Sequence, residues 1–342
     1  MPGVTHREWR AATRAGLISL VLTLAVASSA WAAGPTVSLN PVGAAGAKGY
    51  FIYTAHGGAR LTGQVAVINT SSARGTVRLY AVDATTGQTT GAVYLSRAQR
   101  RRDVGAWTRL PIGRVVLGSH GRTQVTFTVR VPRGVRGGQH LGAIVAQPVS
   151  PVRRYSTQHK GSAFHINVQA LTVLAVQVNV PARPVQRMTV GGCRAGGPHN
   201  YQTLYVGMSN TGNQLLKGTG SLTVQNHAGR VVKHQSFALD TFLPATSISY
   251  PVVLAGKPLG AGNYRATVAL TYGTDHHLTQ RVGCTISHRS IVQVFGVTNA
   301  AAITRPGGGS GPSVVVIVLG GLALLGLGFG AAVLLNRRAQ HS

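Results

Sequence analysis

The chain reads as all-β: two β-sandwich domains carried on one C-terminal transmembrane helix. Three observations predict this. From Thr36 onward, short runs rich in Val, Thr, Ile and Tyr alternate in polarity and are cut by Gly, Pro and Asn. No amphipathic helix of three turns precedes residue 313. Val314–Leu335 (VVVIVLGGLALLGLGFGAAVLL) carries no charged side chain, and it rises about 33 Å, enough for a hydrocarbon core of about 30 Å.

The two ends set the expected topology. Arg7, Arg10 and Arg14 precede the apolar run Leu17–Ala27 and the small-x-small site Ala30-Trp31-Ala32, the pattern of a secretory signal over residues 1–32. Residues 336–342 place Arg337 and Arg338 just past the span, which marks the cytoplasmic side. The expectation is a type I single-pass protein with its β-domains outside the cell. Gly326 and Gly330 stand four apart in the span, a spacing that lets two helices approach closely and form a homodimer.

Charge bounds the partners. Of 33 Lys and Arg, three lie in the signal and two in the tail; of five acids, Glu8 leaves with the signal. The exported part therefore holds 28 cations against Asp83, Asp103, Asp240 and Asp275, a net +24 before histidine. Such a field attracts polyanions. Export excludes nucleic acid and leaves anionic wall polymers, phospholipid headgroups or acidic proteins. The same composition also fits a chain that uses arginine as its default soluble residue, and the sequence leaves both readings open.

The first domain spans residues 33–182. Gln64–Asn69 ends in the polar turn Asn69-Thr70-Ser71-Ser72. Thr76–Asp83 puts Val77, Leu79 and Ala81 on one face. Thr123–Val131 is the clearest strand, with Val125, Phe127, Val129 and Val131 facing in and Thr126, Thr128 and Arg130 facing out. Pro132 stops it, and His140–Ala146 forms the next. Two stretches read as irregular and basic: residues 84–103 with Arg97, Arg100, Arg101 and Arg102, and residues 147–161 with Arg153 and Arg154. Loops on a rigid scaffold often carry binding residues, so these six arginines are the candidate polyanion site. Trp107 is expected as a core anchor between sheets.

Pro181-Ala182-Arg183-Pro184 forms a stiff linker, and the second domain spans residues 183–290. Its length of about 100 residues suits one immunoglobulin-like sandwich. Cys193 near its start and Cys284 near its end are expected to form a disulfide tying its first and last strands, since both are exported. Residues 291–313, with Pro306 and Pro312 around a glycine-rich run, read as a flexible stalk.

The first domain resembles the membrane-anchored partners of WxL-domain proteins, a Gram-positive cell-surface family. The resemblance rests on Tyr80-Ala81-Val82-Asp83-Ala84, on Val104-Gly105-Ala106-Trp107-Thr108-Arg109-Leu110, and on Val131-Pro132 through Gly138–Ala146. It implies a strand carrying Trp107, a non-enzymatic surface protein, a first domain associated with peptidoglycan binding and a second that engages partner proteins.

Chemistry of other kinds is poorly provided for. Glycoside hydrolysis needs paired carboxylates, and only four aspartates survive export. No GxSxG setting holds a serine. Asp275, His276 and His277 sit at a hairpin tip where neighbours point to opposite faces, which does not gather a metal site. Leu243-Pro244-Ala245-Thr246-Ser247 approximates a sortase signal but lies inside the second domain, where it suits a turn entering a strand. The expectation is a protein with no catalytic residue, cofactor or metal. It attaches to a wall polymer or wall-associated protein, or alternatively recognises another secreted protein through its sandwich surfaces.

Overall fold

The computed structural model describes residues 35–150, 153–159 and 162–296. The predicted signal, the span with Gly326 and Gly330, and the tail lie outside them. Among the described residues no helix is long and apolar enough to cross a membrane.

The first domain packs two sheets. Its strands are β1 (Val37–Val42), β2 (Phe51–Thr54), β3 (Arg60–Asn69), β4 (Gly75–Thr86) and β5 (Ala92–Tyr94). A short helix α1 (Val104–Trp107) precedes β6 (Thr108–Arg109), β7 (Arg114–Leu117), β8 (Arg122–Arg130) and β9 (Gly138–Pro148). The domain ends with β10 (Arg153–His159), β11 (Ser162–Val168) and β12 (Thr172–Val180). One sheet runs β1-β3-β8-β6; the other runs β2-β12-β9-β4-β5, with β7 also on β4, and β10-β11 form a separate ribbon. Alternation explains the core. In β8, Val125, Phe127 and Val129 are buried while Arg122, Gln124, Thr126 and Arg130 are exposed. They meet Val77, Leu79, Ile144, Leu174 and Val176 of the facing sheet in one apolar cluster. Phe51, Tyr53 and Phe127 stack within it because residue 63 is glycine: a Cβ there would collide with Tyr53 Oη and with the Phe127 ring at 2.5 Å. The Tyr53 hydroxyl has no hydrogen-bond partner, and burial pushes its pKa up to about 12.

The second domain is one seven-stranded sheet rather than two separate ones. Its strands are β13 (Met188–Gly196), β14 (Thr203–Asn210), β15 (Leu216–Gln225), β16 (Val231–Phe242), β17 (Thr246–Val253), β18 (Gly262–Tyr272) and β19 (His276–Ile286). The order is β16-β15-β18-β19-β13-β14-β17. The sheet folds over so that its two edges meet. The Tyr250 hydroxyl of β17 donates to the Ala238 carbonyl of β16 at 3.0 Å, and the Phe237 and Tyr250 rings lie 4.9 Å apart. The disulfide forms as expected: Cys193 and Cys284 face each other on the short parallel pairing of β13 with β19, Cα atoms 5.0 Å apart.

Three expectations are corrected. Trp107 is a core residue, but it sits on the helical turn α1 rather than on a strand. That turn packs down on β4 and β9 because residue 105 is glycine; a Cβ there would meet the Val82 and Asp83 backbone. Residues 147–161 are not all irregular: β9 runs to Pro148, and Arg153 and Arg154 lie on β10 opposite Val168 and Asn167. The stalk does not begin at residue 291, because α2 (His288–Phe295) occupies its first five residues. Its Ser287 N-cap accepts from Ser290 N–H, Ile291 packs into the second core, Val294 is buried, and Gly296 closes it at φ 71°.

The same buried asparagine turn occurs in both domains. Asn69 Nδ2 donates to the Ala73 and Gly118 carbonyls, and its Oδ1 accepts from Ser71 N–H. Asn210 Nδ2 donates to the Gln214 and Phe242 carbonyls, and its Oδ1 accepts from Gly212 N–H. Each side chain replaces backbone partners at a strand end that would otherwise be buried and unpaired.

The disulfide closes a loop with a sequence separation of 91. Chain entropy then assigns it about 4–5 kcal/mol, so Cys193→Ser with Cys284→Ser is expected to lose up to about that much in denaturant unfolding while the first domain's transition stays in place.

Candidate binding surface and domain seam

The two sandwiches meet along a polar seam built from side chains that are otherwise unremarkable turn residues. Asn213 is its hub. Its carbonyl accepts from Gln139 N–H at 2.8 Å; its Oδ1 accepts from Val185 N–H at 2.7 Å; its Nδ2 donates to the Arg183 carbonyl at 3.0 Å and, at 3.4 Å, to that of Gly137. One residue thus ties the first domain, the linker and the second domain together. Gly138 must be glycine here: φ is +138°, and a Cβ would lie 2.5 Å from the Asn213 carbonyl oxygen. Gln139 Oε1 accepts from Leu215 N–H at 2.7 Å.

A second clasp uses the turn Leu243–Ser247. Leu243 N–H donates to Thr86 Oγ1 at 2.8 Å, and Thr246 Oγ1 donates to the Leu243 carbonyl at 2.7 Å. The Thr86 hydroxyl, 2.6 Å from Thr246 Oγ1, is therefore the donor of that pair, and the circuit closes. Thr90 Oγ1 also accepts from Asp240 N–H. The stretch that approximates a sortase signal serves as an interdomain clasp.

Between the clasps lies a cavity of about 90 Å³, with Asp103, Arg136 and His140 on one side and Asn213, Pro244 and Ala245 on the other. That is far below the roughly 300–1,000 Å³ of small-molecule sites. His140 stacks on Trp107, ring centroids 4.9 Å apart, with Nδ1 2.9 Å from Asp103 Oδ1 and Nε2 2.8 Å from the Arg136 carbonyl. Both ring nitrogens face acceptors, an arrangement that the protonated ring, a donor at both nitrogens, satisfies in full. Burial pulls its pKa down, but the Asp103 carboxylate and the Arg136 carbonyl outweigh burial and hold it above the ordinary value. Neither Asp103 nor His140 stands out in the sequence; the fold alone brings them together.

The outer surface nearest this seam is the β4 edge. Both β5 and β7 pair with the same edge of β4, at opposite ends, leaving Leu79–Asp83 between them without a strand partner on that side. The loop holding Arg97, Arg100, Arg101 and Arg102 crosses that gap. Arg101 reaches the Ala81 carbonyl at 3.4 Å, and the charge of Arg97 falls on Tyr80. Asp83 pins the loop: it is 5% exposed, and its carboxylate accepts from the N–H groups of Arg102, of Asp103 at 3.0 Å and of Gly105 at 2.7 Å. The structure therefore places the 97–102 arginines on one sheet edge. Arg153 and Arg154 lie on the separate β10-β11 ribbon.

Among the described residues no strand pairs with the other side of β7. Gly113 accepts from Leu79 N–H, so alternation turns the backbone groups of Arg114 and Val116 away from β4. Val116 is 59% exposed, Ile112 beside it 47%, and Val93 of β5 47%.

Two outcomes test this geometry. His140 has a raised folded pKa, so its stabilisation is complete below about pH 6.5 and is lost as pH rises through the folded value. Chemical denaturation of the wild type should show stability falling as pH rises above about 6.5, and His140→Gln should flatten that dependence. Asp83→Asn should cost about 2–4 kcal/mol in the same assay, because an amide cannot accept all three N–H groups.

No family model matches the chain, and no curated protein matches it. Among solved structures, the class 5 fimbriae chaperone CfaA is 11% identical with a TM-score of 0.35, over 72% of this chain and 99% of that one. The YadV chaperone is 8% identical with a TM-score of 0.32, over 72% and 98%. The Salmonella enterica SafA pilin in complex with the SafB chaperone gives 11% identity and a TM-score of 0.31, over 73% and 96%.

Proposed function

We propose that this chain is a non-enzymatic recognition module at a bacterial cell surface that holds another secreted protein along the open β7 edge of its first domain. One observation carries the reading: β7 offers unpaired backbone groups at Arg114 and Val116 beside exposed Ile112 and Val116, next to a basic loop. An unpaired edge is a template for an added strand. The Arg97–Arg102 loop favours a strand that brings acidic side chains. The sequence resemblance to membrane-anchored partners of WxL-domain proteins supports a surface location, and the +24 charge supports an anionic partner. The seam cavity of about 90 Å³ is too small for a drug-sized molecule, and the reading rests on the exposed strand edge.

Incorporating a photo-crosslinking residue at Val116 in the producing cell tests the proposal. A discrete protein adduct is expected, lost when Arg114→Pro removes an outward N–H, and absent when the crosslinker sits at Ser249 of the second domain. A heterogeneous adduct on wall polymer, or equal adducts at both positions, would reject the edge.

A further inference from the structure

We infer that the outer face of the second domain carries a separate docking surface for an acidic polysaccharide, centred on Arg194, Arg265 and Arg281. The three come from different strands, and pairing puts them on one face. On β19, Val282, Cys284 and Ile286 point toward the core, so Arg281, Gly283 and Thr285 point out. Arg265 of β18 lies opposite Gly283, Thr267 opposite Arg281, and Arg194 of β13 opposite Thr285. Arg194 also lies opposite Tyr205 of β14, and its guanidinium stacks over that ring at 4.6 Å.

The guanidiniums carry the inference. Among the described residues none of the three forms an ion pair or a side-chain hydrogen bond, and the acids nearest in the sheet are engaged elsewhere, Asp240 by Lys217 and Asp275 by His277. The surface is complementary to negative charge alone. Its surroundings select which anion. Thr267 and Thr279 supply hydroxyls, and Tyr205 supplies one aromatic plane, while large apolar anchors of the kind that dominate protein interfaces are missing from these rows. Carboxylate-bearing sugars match that set: carboxylates for the arginine forks, hydroxyls for the threonines, a ring face for Tyr205.

Shape agrees. Gly192 and Gly283 each precede one half-cystine of the disulfide, and Gly207 of β14 lies against Gly192. Neither Gly192 nor Gly283 has a positive φ, and a Cβ at either would meet nothing within 4 Å. Folding does not demand a glycine at either place, and strand glycines weaken a sheet. Their effect is to leave bare backbone between the arginines, over the disulfide. This surface is independent of the β7 edge.

The test uses the full purified chain and polygalacturonate, with dextran as neutral glycan and poly-L-glutamate as acidic polypeptide. Binding to polygalacturonate alone is expected, weakening with salt. Arg265→Gln and Arg281→Gln should each weaken it about tenfold, a cost typical of one charge-assisted contact. Gly283→Val should leave the thermal midpoint unchanged or higher, yet reduce binding at least tenfold by filling the floor. Equal binding to poly-L-glutamate, no preference over dextran, or unchanged binding in the arginine variants would overturn the inference. Should Gly283→Val fail to fold, the arginine variants still decide.

Discussion

Asn213 is the residue on which the rest of this structure depends. Two sandwiches joined by a seven-residue connection would ordinarily move against one another, since interdomain contacts inside a chain resemble transient interfaces. Here a single buried side chain accepts from Val185, donates to Arg183 and Gly137, and takes Gln139 on its own carbonyl. The linker is thereby held to both domains at once. These bonds are part-buried, and a polar group left unpaired in such a place costs more than the bond's net contribution. The seam is therefore polar, and the bonds of one residue join both domains to the linker.

The scarcity of acids gives the chain its second constraint. All four aspartates outside the predicted signal have an internal task. Asp83 caps the turn before α1, Asp103 holds His140, Asp240 takes Lys217, and Asp275 takes His277. Among the described residues no arginine forms an ion pair. An ordinary surface cancels most of its field locally, whereas this one has nothing left with which to cancel it. The arginines consequently act outward as a set, and the distribution is uneven. They gather along the β4 edge and at one end of the second domain's outer face, where different strands deliver them to one place.

How much of this was legible in the sequence follows from which interactions are local. Polarity alternation in Thr123–Val131 reports burial directly, and the structure buries Val125, Phe127, Val129 and Val131. The cysteine pair was readable because two exported thiols in one domain have few alternatives. The basic loop at 97–102 was visible as composition, but its position on a strand edge was not, because that depends on β5 and β7 sharing one side of β4. Arg153 and Arg154 lie on a strand that the sequence hides, because a ribbon outside the main sheets lacks the apolar alternation that marks a buried strand. Trp107 was expected on a strand, and four helical residues are too few to give a 3.6-residue period. His140 and Asp103, 37 residues apart, carry no joint signature at all. Asn69-Thr70-Ser71 and Asn210-Thr211-Gly212 are the same structural turn, a repeat in the sequence that aligns the two domains.

The disulfide connects these threads. Its chain-entropy contribution follows from loop length alone, and a bridge anywhere between the first and last strands would supply a similar amount. Its location is more informative. Cys193 and Cys284 sit at the one place where β13 and β19 run parallel, a pairing only two residues long and set beside a bulge between Val190 and Cys193. A short parallel contact next to a bulge is a weak joint in a sheet, and the strands there carry glycines that weaken it further. The bridge keeps Arg194 level with Thr285, where hydrogen bonding alone is sparse. On this argument the disulfide fixes the register of the surface above it as well as the fold below. Loss of the bridge should then loosen the arginine arrangement even under conditions that leave the second domain folded.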